Sequence, residues 1–280
     1  MAHPDRYLLA GVMGSPIMHS RSPKIHNLWL AEHGLIGHYA PLLVEPAGLE
    51  KALRALAPLG FSGVNLTIPL KELALKIVDR IEPLAASIGA INCVVIGGDG
   101  ALEGYNYDAF GFIASLREQA PDWRADSGPC VLLGAGGASR AIIAGLLAEG
   151  APEIRLANRT LERAQGLADE FGARVKPVTW REREGALAGA SLLVNCTSMG
   201  MVGQPELEIA LDDLPKGAVV SDIVYAPLET QLLAKARARG HVGVDGLGML
   251  LHQARPAFQK WFGILPDVTP DLRAAIEATL

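Results

Sequence analysis

Two groups of residues in this 280-residue chain are of types that do chemistry together. The first is Gly134-Ala135-Gly136-Gly137-Ala138-Ser139, set between an apolar strand pattern (CVLL) and a helical one (IIAGLL). Its first glycine permits a tight turn, and the second lets a pyrophosphate approach the backbone at a helix N-terminus. A structural strand-to-helix turn also favours glycine, but here a second strand–helix unit follows, which favours dinucleotide binding. Ser139 stands at the third fingerprint position, a small-residue substitute. About twenty residues on, where a NAD-binding unit carries a carboxylate for the ribose 2′-hydroxyl, stand Asn158-Arg159-Thr160 and then Arg163. Arg159 is a cation suited to a 2′-phosphate and Asn158 and Thr160 are neutral donors, so NADP is favoured over NAD. The plainer alternative makes Arg159 a solvated loop residue and Thr160 a helix cap.

The second group is Ser20 and Ser22 in HSRSP, Asn65 and Thr67 in NLTIP, Lys71, Asn92, and Asp108 in NYDAFG. Hydroxyls and amides with a single cation suit a polyhydroxylated small molecule better than a metal, a phosphate chain or a peptide. Singly, each has a plain reading: Ser22 before Pro23 resembles a helix N-cap, and Asn92 is of a type that satisfies backbone groups. Together they fall at the ends of successive strand patterns, where ligands bind in open α/β sheets.

The elements that must position these groups follow from pattern. YLLAGVMG, a helix after Ser22-Pro23, HYAPLLVE, an amphipathic stretch over 49–56 and GVNLTIP make a βαβαβ rhythm, which predicts a parallel sheet. GAINCVVI, the turn-rich 97–100 and a helical pattern over 108–119 come next. The polar, two-proline segment 120–129 reads by composition as a domain boundary. After it come the Gly-rich unit, strand EIRLAN, helix TLERAQGLADEFG with Thr160 as cap, strands ASLLVNCTS and AVVSDIVY, and a helix over 228–239. That series predicts a doubly wound domain, and the helical pattern from Gly248 must pack after it is complete, back onto the first unit.

Composition narrows the function classes. With 25 basic against 30 acidic residues, a net charge of -5 and no run of like charges, the chain has no footprint for nucleic acid or an anionic membrane. Its length suggests two domains. Cys93, Cys130 and Cys196 are an odd number, widely spaced in apolar stretches, which fits reduced core thiols. The N-terminal MAHPDRYLLAGVMGSP reads as neither signal peptide nor anchor, and the uncharged 186–205 is too polar for a membrane span, so a cytoplasmic protein is expected.

Nine motifs in order carry a resemblance over nearly the whole chain: GSPIMHSRSPKIHN (14–27), NLTIPLK (65–71), GAINC (89–93), YNYDAFG (105–111), GAGGAS (134–139), NRT (158–160), NCTSMGM (195–201), DIVY (222–225) and DGLGMLLHQA (245–254). The sequence resembles the shikimate dehydrogenase family, NADP-dependent enzymes that reduce 3-dehydroshikimate to shikimate on the route to chorismate and the aromatic amino acids. The resemblance implies that Ser20, Ser22, Thr67, Lys71, Asn92, Asp108, Tyr225 and Gln253 bind substrate, with Lys71 and Asp108 as the catalytic pair. The cofactor then lies against Gly134, Ala135, Gly136, Gly137, Ala138, Asn158, Arg159, Thr160, Arg163, Ile223 and Gly246. The implied α/β fold has a substrate-binding domain, 1–107 and 248–280, and a Rossmann-like NADP-binding domain, 108–247, with the C-terminal helix returning to the first.

Hydride transfer between a nicotinamide and a secondary alcohol develops charge on the alcohol oxygen, so a proton donor or acceptor must reach it, the part implied for Lys71. Where the family has Asn-Thr-Asp, this chain has Asn106-Tyr107-Asp108. A phenol beside a catalytic residue either points into the pocket and alters which ring substituents fit, or points into the core and changes nothing. His19 and His252 fall inside matched motifs but lack ligand company, so no metal is expected. The expected partner is a small molecule, and the chain a monomer or homodimer. The rivals are a quinate or aminoshikimate dehydrogenase on the same scaffold, and a non-catalytic NADP-binding or metabolite-sensing paralogue.

Overall fold

The computed structural model describes residues 7–280. The chain divides into two compact units, 7–107 with 253–279, and 108–252.

The first unit is built from β1 (Leu8–Gly14), α1 (Ser22–Glu32), β2 (Gly37–Leu43), α2 (Leu49–Ala55), β3 (Phe61–Leu66), β4 (Arg80–Ile81), α3 (Pro83–Ile88), β5 (Cys93–Ile96) and β6 (Leu102–Tyr105). The sheet order is β2-β1-β3-β5-β6-β4. β1, β2 and β3 are parallel as the rhythm predicts, but β5 runs antiparallel to both β3 and β6. The sheet is therefore mixed. The tight turn at 97–100 forces this, because a short hairpin connection joins only antiparallel strands. One face of the sheet packs Leu53, Val64, Leu66, Leu70 and Ile91, each fully or almost fully buried. Each such leucine contributes about 1.5–3 kcal/mol.

Aromatic residues pack around His26, which stacks on Tyr39 at 4.2 Å and lies beside Trp29, Phe258 and Trp261. Neither ring nitrogen of His26 has a hydrogen-bond partner, and burial drives its pKa down to about 3, so it is a neutral aromatic filler. Trp261 donates its indole N–H to the carbonyl of Val94. Gly63 makes room for that contact: a Cβ there would lie 2.1 Å from the Val94 oxygen and 2.3 Å from the indole nitrogen.

The second unit runs α4 (Asp108–Gln119), β7 (Cys130–Leu133), α5 (Gly137–Ala148), β8 (Ile154–Asn158), α6 (Leu161–Phe171), β9 (Val175–Thr179), β10 (Leu192–Asn195), β11 (Val219–Asp222), α7 (Gln231–Ala238), β12 (Val242–Val244) and α8 (Gly246–Phe262). All six strands are parallel in the order β12-β11-β10-β7-β8-β9. This is the doubly wound arrangement, with its switch point between β7 and β10. Alternate residues of β7 face opposite layers. Cys130 and Leu132 pack with Ile142 and Leu146, while Val131 and Leu133 pack with Leu214, Leu232 and Leu233. Burial on both faces explains why these strands read as unbroken apolar runs.

Two boundaries differ from the sequence reading. The segment 120–129 is no linker, because Ala120 and Ala125 are buried in the core of the second unit with Cys130 and Leu132. The return to the first unit falls between His252 and Gln253, inside α8, and not at residue 248. The start of α8 is held in the second unit: a Cβ at Gly248 would lie 2.3 Å from Ser115 Oγ, and His252 Nε2 lies 3.0 Å from Glu118 Oε2. The last helix, α9 (Pro270–Glu277), is capped by the Thr269 side chain accepting from Leu272 N–H.

Candidate active site

In the first unit the polar residues gather where β1 and β3 end and β5 begins. Thr67 N–H donates to Met13 O at 3.0 Å, and Leu66 N–H to Asn92 O at 2.9 Å. Gly14 permits the approach, since a Cβ there would lie 2.5 Å from Thr67 Cγ2. A turn closed by Leu70 N–H on Thr67 O buries Leu70 completely and brings Lys71 round, so that its carbonyl accepts from Ile91 N–H at 2.9 Å. Thr67, Lys71 and Asn92 are thus set side by side through backbone bonds.

Their side chains continue a buried network. Tyr39 donates its hydroxyl to Asn65 Oδ1 at 2.7 Å and is also hydrogen-bonded with Ser22. Asn65 Nδ2 donates to Asn92 O at 3.0 Å. Asn92 Oδ1 accepts from Tyr107 N–H at 2.9 Å, and its Nδ2 faces Gln253 Oε1 at 3.5 Å. Ser20 Oγ accepts from Ser22 N–H at 3.3 Å. Ser22 is not the cap of α1, because Arg21 holds that position and no side chain caps the helix. The expected residues Ser20, Ser22, Thr67, Lys71, Asn92 and Gln253 therefore all belong to this unit. Tyr39, which the sequence reading did not single out, is fully buried among them and lies in a strand pattern with no motif to mark it. Asp108 opens α4 at the start of the second unit, directly after Tyr107. Tyr107 is half-buried, its ring stacked nearly parallel on Tyr105 at 5.9 Å.

In the second unit the Gly-rich turn follows β7 at the switch point. Gly134 has φ +100, and a Cβ on it would lie 2.8 Å from Thr197 Cγ2 in the loop after β10. Ser139 Oγ donates to Gly134 O and accepts from Gly136 N–H, locking the turn to the first turn of α5. Asn158 ties this turn to the next: its Oδ1 accepts from Ala135 N–H and its Nδ2 donates to Thr160 O. A Cβ at Gly136 or Gly137 would meet no atom within 4 Å. With Gly136 at φ -98, its backbone is also one that any residue adopts. The protein's own packing therefore demands glycine at neither position, whereas a phosphate group seated on the turn would. Thr160 is the N-cap of α6 but makes no side-chain capping bond. Arg159 and Arg163 are exposed, and among the described residues neither side chain has an ion pair or hydrogen bond, unlike Arg140, which pairs with Glu170. These residues fit a dinucleotide carrying a 2′-phosphate. Among the described residues no group of three or more His, Cys, Asp or Glu has a metal-holding arrangement.

The segment that carries Ile223 and Tyr225 is held by a buried carboxylate. Asp222 accepts from Asn195 Nδ2, Val224 N–H and Thr230 Oγ1 at 2.8–3.0 Å. Asn195 Oδ1 in turn takes both Thr197 N–H and its hydroxyl. Gly246 admits the loop, since a Cβ there would lie 2.3 Å from Ile223 O. Burial raises the Asp222 pKa from 3.8 to about 6 in spite of its three donors. The folded protein thus binds this proton more tightly than the unfolded chain, so the group costs stability above pH 6. The cost is relieved as pH falls through 6 towards 4. Between pH 7 and pH 5, chemical denaturation should show the parent gaining roughly 1 kcal/mol on Asp222→Asn. No gain towards acid would mean that Asp222 is ionised throughout.

Comparison with known proteins agrees with this layout. Residues 12–94 match the family model for the shikimate dehydrogenase substrate binding domain, 118–225 that for shikimate / quinate 5-dehydrogenase, and 246–276 that for the shikimate 5′-dehydrogenase C-terminal domain. The shikimate dehydrogenase (NADP(+)) of Paramagnetospirillum magneticum is 53% identical over 268 residues, 96% of this chain and 97% of that one. Shikimate 5-dehydrogenase from Thermus thermophilus, solved with NADP(H) and shikimate, is 38% identical with a TM-score of 0.86 over 98% of this chain and 100% of that one. Quinate dehydrogenase from Corynebacterium glutamicum, solved with NAD, is 33% identical with a TM-score of 0.90 over 98% and 99%. Likeness at this level along nearly the whole length shows that the chain belongs to the shikimate dehydrogenase family.

Proposed function

We propose that this chain catalyses the NADP-dependent interconversion of 3-dehydroshikimate and shikimate. One observation carries the reading above the others: Ser22, Tyr39, Asn65 and Asn92 form one buried network beside Thr67 and Lys71, a lining of hydroxyls and amides with one cation, complementary to a polyhydroxylated ring. Ser20, Ser22, Thr67, Asn92, Tyr225 and Gln253 hold the substrate's hydroxyl and carboxylate groups. Gly134, Ala135, Gly136, Gly137 and Ala138 seat the pyrophosphate. Arg159 and Arg163 take the 2′-phosphate, with Asn158 and Thr160 shaping that corner. Ile223 and Gly246 line the cofactor's far end.

When bound, NADP supplies the hydride acceptor, or NADPH the donor, for the alcohol carbon. Lys71 Nζ gives the proton to the carbonyl oxygen during reduction and takes it from the hydroxyl during oxidation, and Asp108 works with it. We also read the protein as a cytoplasmic monomer or homodimer acting on a small molecule rather than on nucleic acid or a membrane. Cys93, Cys130 and Cys196 are all free and buried, with burial holding each thiol protonated, as suits a reducing compartment. No helix among the described residues is long and apolar enough to cross a membrane.

The test is the initial rate of cofactor reduction with shikimate and with quinate, each with NADP and with NAD. The highest kcat/KM is expected for shikimate with NADP. The high structural similarity to a quinate dehydrogenase solved with NAD makes that pair the second reading. A preference for quinate or for NAD would favour it, and binding without turnover would favour a non-catalytic paralogue.

A further inference from the structure

The chain leaves the first unit at the peptide between Tyr107 and Asp108 and re-enters it between His252 and Gln253. One buried amide stands at both points: Asn92 Oδ1 accepts from Tyr107 N–H at 2.9 Å, and Asn92 Nδ2 faces Gln253 Oε1 at 3.5 Å. Tyr107 is held a second time by its ring, which lies 5.9 Å from that of Tyr105 at an interplanar angle of 10°. Tyr105 is itself fixed. Its hydroxyl donates to Glu103 Oε2 at 2.9 Å, and Lys260 Nζ lies 3.4 Å from that hydroxyl and 4.6 Å from the ring centroid.

We propose that Tyr107 is a positioning residue for Asp108, its stacked ring and its bonded N–H together fixing the peptide from which the Asp108 side chain is presented. A small hydroxyl residue at position 107 keeps the backbone bond to Asn92 but has no surface to stack on Tyr105. The phenol thus adds a second hold on the backbone one bond before Asp108. Asn92 follows Ile91, whose N–H is bonded to the Lys71 carbonyl, so the segment that holds the Tyr107 N–H also holds the Lys71 backbone. The ring, and not the hydroxyl, does the holding.

This inference rests on the proposed function for its kinetic readout, and a structural readout stands beside it. Tyr107→Ala and Tyr107→Thr are expected to lower kcat about tenfold, because a displacement of an ångström costs rate steeply. KM for shikimate should stay within about threefold, and Tyr107→Phe should bring kcat back to within about twofold of the parent. Tyr105→Leu removes the stacking surface without touching residues 106–108, and is expected to repeat the kcat loss if the position-107 variants do not fold. Independently of turnover, amide hydrogen exchange at 107–109 should be about tenfold faster in Tyr107→Ala than in Tyr107→Phe. A parent without turnover overturns the functional reading, and the exchange comparison then decides the positioning role alone. Unchanged kcat in both Tyr107→Ala and Tyr105→Leu, equal exchange in Ala and Phe variants, or a Phe variant as slow as Ala would each overturn it.

Discussion

Lys71→Ala is expected to lower kcat about 10²- to 10⁴-fold, the range for loss of a positioned proton donor, while KM for shikimate moves only a few-fold. The backbone leaves little room for an indirect cause. The turn that presents Lys71 is closed by Leu70 N–H on Thr67 O, anchored by a fully buried Leu70, and joined to Ile91 through the Lys71 carbonyl. These holds are made by the backbone and by Leu70, and they remain when the lysine side chain is truncated. Lys71 itself is half-buried and, among the described residues named in that hydroxyl-and-amide lining, supplies its cation. Steady-state rates in both directions make the check. Turnover retained with shikimate binding lost would reassign Lys71 from proton transfer to holding the substrate.

Arg159→Ala combined with Arg163→Ala is expected to raise KM for NADP about 10- to 100-fold and to leave KM for NAD within a few-fold. Charge-assisted hydrogen bonds contribute about 1.5–3 kcal/mol each, and the exposure of both arginines places them at the low end of that range. Because the contacts are exposed, salt should weaken them too. In 1 M salt, where the screening length falls to about 3 Å, the parent's KM for NADP should rise and the double variant's should not. Equal losses with NADP and NAD would show that the arginines shape the turn without reading the 2′-phosphate.

Some features are legible because their causes are local. The strand, Gly-rich turn and helix over 130–148 follow from a run of apolar residues and glycines in immediate succession, and the helix over 108–119 has in the structure the bounds its periodicity predicts. The absence of a carboxylate at 158–160 is likewise written in residue types alone. Asn158 shows where local reading stops. Its type suggests a donor to the cofactor, yet both ends of its amide are engaged within the protein, joining two turns 23 residues apart. Tyr39 carries no motif, and only the packing of α1 against β2, tied by Asn27 to the Tyr39 backbone, places it between Ser22 and Asn65.

The sequence by itself determined the order of elements, the doubly wound second unit, the family, and the residue types at both sites, since these depend on periodicity, turn chemistry and short motifs along the chain. Only the tertiary structure decided that the first sheet is mixed, that the chain returns inside α8, that Tyr107 stacks on Tyr105, and that burial raises the pKa of Asp222. Each of these depends on which distant group fills the space beside a residue. That is settled by packing density and by the need of every buried polar group for a partner, and neither is carried by the residue's neighbours in the chain.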